Sequence, residues 1–106
     1  MSNTAPNILF VLTDQQRRDS MAAYGNKWIK APHMDALAER SFVFDHCYVS
    51  QPVCTPARAS IMTGLYPQTT GVHRNNIVLS PDTPTLGEFM PENYYNAYMG
   101  KWHLGD

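Results

Sequence analysis

Cysteine, charge and long apolar runs are all scarce in this sequence. Two cysteines, Cys47 and Cys54, are too few for a disulfide-stapled mini-domain. The gap of six residues between them fits no short Cys-Cys metal knuckle, even with His46 alongside. Charged residues make up 16% and the formal net charge is -1, with no Lys/Arg cluster, so there is no electrostatic footprint for nucleic acid or an anionic membrane surface. The longest apolar run near the start, Ile8 to Leu12, is too short to span a bilayer, and no Lys or Arg precedes it. The chain is therefore expected to be cytoplasmic, with thiols rather than a disulfide. Six glycines, eight prolines and no internal repeat, heptad or low-complexity tract exclude collagen-like and disordered classes.

What is present suits one globular domain. Hydrophobic residues reach 43%, and a chain of 106 residues buries about two-thirds of its unfolded surface. Asn7-Ile-Leu-Phe-Val-Leu-Thr13 reads as a buried strand of a parallel sheet with Asp14 at its carboxyl end. One short helical turn and then loop are expected over 15–30. Pro32 to Arg40 reads as a helix, with Met34, Leu37 and Ala38 on one face. Alternation over 42–49 predicts an extended segment, 77–79 a short strand, 85–90 a short helix and 94–102 a strand. Thr55-Pro56-Ala57-Arg58 predicts a helix start, with Thr55 as N-cap and Pro56 at the first helical position, and Gly64 ends the helix.

The chemistry gathers at that helix. Cys54 stands just before it and Arg58 four residues on, so an anion placed there meets unpaired backbone amides and a guanidinium together. A thiol in this setting is a reactive cysteine rather than an inert one. A cysteine phosphatase loop separates its nucleophile from its arginine by five residues, and Ser60 occupies that place here. A buried cysteine that merely precedes a helix is the plain alternative. Near the end, Lys101 and His103 are two apart, so on an extended segment both point one way and Trp102 the other. Asp14, at the carboxyl end of its strand, reads by itself as a helix N-cap. His33 and His46 are taken as structural, His73 as a candidate for lining the pocket, and Trp28, Trp102 and the tyrosines as packing residues.

Cys54-Thr-Pro-Ala-Arg58-Ala-Ser-Ile-Met-Thr63-Gly64 resembles the first sulfatase signature, Cys-x-Pro-x-Arg followed by a Thr-Gly turn. Gly100-Lys101-Trp102-His103-Leu104-Gly105 resembles the second, and Pro6 through Asp14 is similar to the family's opening strand and metal-binding carboxylate. Ala31 through Ala38 is similar to its first helix. The resemblance covers essentially the whole chain.

It implies an α/β fold, part of an alkaline-phosphatase-like three-layer α/β/α sandwich with a mostly parallel sheet. Residues 1–106 would form the N-terminal part of a sulfatase catalytic domain, a larger enzyme's fragment or a truncated product. Cys54 would be oxidised by a separate maturation enzyme to formylglycine, whose hydrate attacks sulfur in a sulfate ester of a small molecule or carbohydrate. Arg58 would hold the hydrate, and Lys101 and His103 would contact sulfate. A divalent cation, calcium in most of the family, would be held by Asp14, Gln15 and the modified Cys54. Many sulfatases carry a second Asp where Gln15 stands, and Asp-Gln pairs are frequent in the related phosphonate and phosphate ester hydrolases, the nearest alternative. An inactive remnant is the alternative from another class.

Overall fold

The computed structural model describes residues 5–105, which fall into two compact units divided between Asp45 and His46. In the first unit, helix α1 spans Pro32–Glu39, within one residue of the expected range. Pro32 opens it because a proline's φ is already helical and its missing N–H is one the first turn leaves unpaired anyway. Asp35 lies in the first turn, where a carboxylate complements the helix dipole, and its Oδ1 accepts a hydrogen bond from Ala23 N at 3.2 Å. Met34 and Leu37 stay exposed within this unit.

Two 3₁₀ turns, Arg18–Ser20 and Ala22–Tyr24, stand where one was expected. Gly25 closes the second at φ 91°, a left-handed value that glycine adopts without steric cost. Asn26 orders the next turn: its Oδ1 accepts from Trp28 N and Ile29 N at 2.8 Å each, and its Nδ2 donates to Asp19 O at 2.7 Å. Arg18 lies 5.0 Å from the Tyr24 ring centroid and donates to the Asp45 carbonyl, while the Tyr24 hydroxyl donates to Phe44 O at 2.9 Å. These bonds tie 42–45 back to the 3₁₀ turns.

In the second unit, α2 spans Cys54–Thr63 and a short α3 spans Pro67–Thr70, in a stretch expected to be loop. Gly64 ends α2 at φ 71°, with its N–H donating to Ser60 O. Ala59 of α2 packs with Val72, Leu79 and Leu104 in a small core, flanked by Met62, Ile77 and Trp102. Leu79 N donates to Leu104 O at 2.8 Å, so the two segments meet through one backbone bond. The expected helix over 85–90 is a turn: Glu88 N bonds Thr85 O at 2.9 Å, and Glu88 Oε2 accepts from Thr85 N at 2.7 Å.

No strand is present among the described residues, so the parallel sheet of the expected sandwich is absent from them. The expected strands at 7–13, 77–79 and 94–102 are irregular chain instead, and 42–49, expected as a strand or extended segment, forms no strand. A strand exists only through a neighbour that takes its backbone hydrogen bonds, and a parallel sheet also needs helices over its faces. Ile8, Leu9, Phe10 and Val11 are more than half exposed, with neither kind of cover in the described residues.

Candidate active site

The first turn of α2 carries the site. Cys54 is its first residue and Val53, extended at φ -131° and ψ 144°, is the N-cap. The cap therefore lies two residues earlier than Thr55, and Pro56 is in the third helical position rather than the first. Valine has no side-chain acceptor, so the orphan amides of the first turn need one from elsewhere. Asn75 supplies it: Oδ1 accepts from Thr55 N at 3.0 Å, across 20 residues of sequence. Cys54 is a half-buried free thiol, and Cys47 is exposed.

Arg58, one turn further along α2, is 7% exposed. Its Nη1 donates to the carbonyl of Lys101 and reaches the Tyr98 hydroxyl at 3.5 Å. Tyr98 Oη itself donates to Lys101 O at 2.6 Å. The Tyr98 ring meets Trp102 edge to face, with centroids 5.1 Å apart and planes at 82°. The helix bearing Cys54 and the turn bearing Lys101 and His103 are thus joined at one carbonyl oxygen.

That turn is not extended throughout. His103 has φ 61°, so the expected alternation of Lys101 and His103 against Trp102 breaks there. Non-glycine residues are left-handed at only three described positions, Gln15, Asn76 and His103, and two of these belong to the residues singled out by the sequence. Such backbone conformations cost of order 1–3 kcal/mol and persist where surrounding structure enforces them, commonly at functional sites. Among the described residues, two side-chain atoms are buried with no hydrogen-bond partner: Nδ1 of His103 and Oγ1 of Thr55, the residue after Cys54. Buried polar groups rarely go unpaired, so each marks a place for a polar partner.

Asp14 and Gln15 lie in the first unit, in exposed chain, with Gln15 at φ 54°. Their carboxylate and amide oxygens suit a hard cation in kind, but they are two donors where calcium takes about six to eight. No group of three or more His, Cys, Asp or Glu side chains able to hold a metal ion forms among the described residues. The remaining histidines have local surroundings of their own. His33 is exposed on α1, His46 stacks with Tyr48, and a ring nitrogen of exposed His73 pairs with Gly71 O at 2.9 Å. Ser60, at the position a phosphatase arginine would fill, shares a 3.0 Å hydroxyl contact with Ser50.

Sequence reasoning missed Asn75 and Tyr98. The signal for Asn75 was Val53, a cap with no acceptor. Tyr98 carried no signal, because its bond to the 101 carbonyl depends on a turn that the sequence presented as a strand.

The start of α2 thus brings a half-buried cysteine and a buried arginine together with the lysine–histidine turn bonded to that arginine. The sulfatase family model matches residues 6–105, and the chain belongs to the sulfatase family. It is 45% identical over 102 residues to an ulvan-active sulfatase of Formosa agariphila, covering 95% of this chain and 20% of that protein. It is 35% identical to an N-acetylglucosamine-6-O-sulfatase of Bacteroides thetaiotaomicron, covering 93% and 18%. A choline-sulfatase of Rhizobium meliloti is 36% identical, with 98% and 20% covered. The chain thus spans about a fifth of the length of these relatives. No solved structure matches it.

Proposed function

We propose that the protein hydrolyses sulfate esters, with Cys54 as the precursor of its nucleophile. The observation that carries this reading is the bond from Arg58 Nη1 to Lys101 O, which joins the two signature blocks across 43 residues. Family membership supports the same reaction class.

Converted to formylglycine by a maturation enzyme that supplies the oxidant, position 54 would offer an aldehyde hydrate oxygen for attack on sulfur. The bond from sulfur to the alcohol oxygen would break, the alcohol leaving with a proton, and the second hydroxyl would then expel sulfate and restore the aldehyde. A bound calcium ion would neutralise charge on oxygen, and Asp14 and Gln15 are the residues of this chain that would hold it. The first turn of α2, capped by Asn75, fixes the backbone at 54 so that the side chain leaves from a set point. Arg58 fixes the Lys101 turn against that helix. Lys101 offers an ammonium to a sulfate oxygen, and His103 offers the ring whose Nδ1 lacks a partner.

The relatives named for ulvan, N-acetylglucosamine 6-O-sulfate and choline sulfate match nearly the same stretch of this chain. This stretch therefore serves the sulfate group common to those names, and the alcohol is selected elsewhere. A small-molecule or carbohydrate sulfate ester is the proposed substrate class. Gln15 favours a second reading, a phosphonate or phosphate ester hydrolase: an amide beside Asp14 leaves one less negative charge near the metal.

Peptide mass analysis of the full-length protein, produced together with the maturation enzyme, tests the nucleophile. The peptide containing residue 54 should lose the elements of hydrogen sulfide and gain one oxygen. An unmodified thiol in protein that turns over sulfate esters would contradict the assignment.

A further inference from the structure

Lys101 O receives two donors, Arg58 Nη1 and the Tyr98 hydroxyl, although it belongs to an exposed residue on a turn. A carbonyl has two lone pairs, so the pair of donors saturates it. The two differ in anchorage. Arg58 comes from α2, and Tyr98 lies three residues before the carbonyl it grips, with its ring set edge-on against Trp102. Trp102 in turn packs on the core of Ala59, Val72, Leu79 and Leu104. The tyrosine therefore closes a small ring of contacts: its hydroxyl holds residue 101, its ring touches residue 102, and the next residue is left-handed His103. A non-glycine φ of 61° is held only if the chain on either side is held.

We infer that Tyr98 is a positioning residue for the sulfatase reaction: its hydroxyl clamps the Lys101 carbonyl and so sets the turn that presents Lys101 and His103 to the sulfate. This rests on the proposed sulfate ester hydrolysis. The clamp works through the backbone, so Tyr98 acts on Lys101 and His103 rather than on substrate. Small displacements of groups that meet developing charge are expensive in the transition state and nearly silent in ground-state binding.

Tyr98→Phe in the full-length protein removes the hydroxyl and keeps the ring. Its kcat for an aryl sulfate should fall about five- to tenfold, as expected for loss of one ordering hydrogen bond, with KM within about twofold. Its unfolding midpoint should stay at the wild-type value, and amide exchange over 99–103 should accelerate several-fold. A merely structural tyrosine would leave kcat per folded molecule unchanged, and that result overturns the inference. Unchanged exchange over 99–103 overturns it as well, whatever the activity. Wild-type protein that releases no sulfate while Tyr98→Phe still accelerates exchange would sink the proposed reaction and leave the clamp standing.

Discussion

Cys54 and Cys47 differ in setting more than in chemistry. Cys54 is half-buried at the start of α2, and Cys47 is exposed in irregular chain. Cys54→Ala should remove all sulfate ester turnover, while Cys47→Ala keeps most of it; steady-state assays of the two variants check this. A second residue-level prediction concerns Arg17 and Asp19. The arginine donates Nε to Oδ1 at 2.9 Å and Nη2 to Oδ2 at 2.6 Å, a two-pronged contact. Those hydrogen bonds, and then the charge itself, hold the Asp19 carboxyl below its usual range and raise Arg17. A lowered carboxylate pKa in the folded state stabilises above the unfolded value, about 3.9, and that contribution disappears as pH falls through the folded value. Both side chains are largely exposed, so the effect on stability is small and screened by salt. An NMR titration of the Asp19 carboxyl should therefore show a midpoint that rises in Arg17→Gln. Equal midpoints would contradict the pairing.

Among the elements, α2 has the most defined ends. Gly64 takes φ 71° at its C-terminus, and a Cβ built there meets nothing within 4 Å. Gly64→Ala should thus cost only the left-handed backbone term, about 1–2 kcal/mol, read as a lower denaturant midpoint at unchanged slope. At the other end, Asn75→Leu should cost about 1 kcal/mol by stranding the Thr55 amide, whereas Asn75→Asp keeps the acceptor and most of the stability. Local signals were legible in the sequence: Pro32 opening α1, Gly64 closing α2, and Arg58 on a helix that was expected to start just after Cys54 and in fact starts on it. What was not legible depends on distant partners. Residues 7–13 have the composition of a strand, but pairing is a property of two segments. Asn75 acts across 20 residues, where no periodicity points, and Tyr98 reaches the 101 carbonyl through a turn that the sequence presents as a strand.

The residues assigned to the proposed reaction divide between the units, Asp14 and Gln15 in one and Cys54, Arg58, Lys101 and His103 in the other. The chain covers about a fifth of its relatives' length, and the oxygen donors it offers are fewer than a calcium ion takes. Chelation of divalent metal should abolish turnover by the full-length protein, and added calcium should restore it. Asp14→Ala should raise the calcium concentration needed for half-maximal rate. Persistence of full activity in chelator would remove the metal from the account.

Sulfate ester hydrolysis through residue 54 stands against the phosphonate chemistry that Gln15 favours. The most direct measurement is turnover of an aryl sulfate and the matching aryl phosphonate ester by full-length wild-type protein and by Cys54→Ala. The wild type should show a higher kcat/KM for the sulfate, and the variant no turnover of either ester. A preference for the phosphonate, or sulfate release by Cys54→Ala, would contradict it.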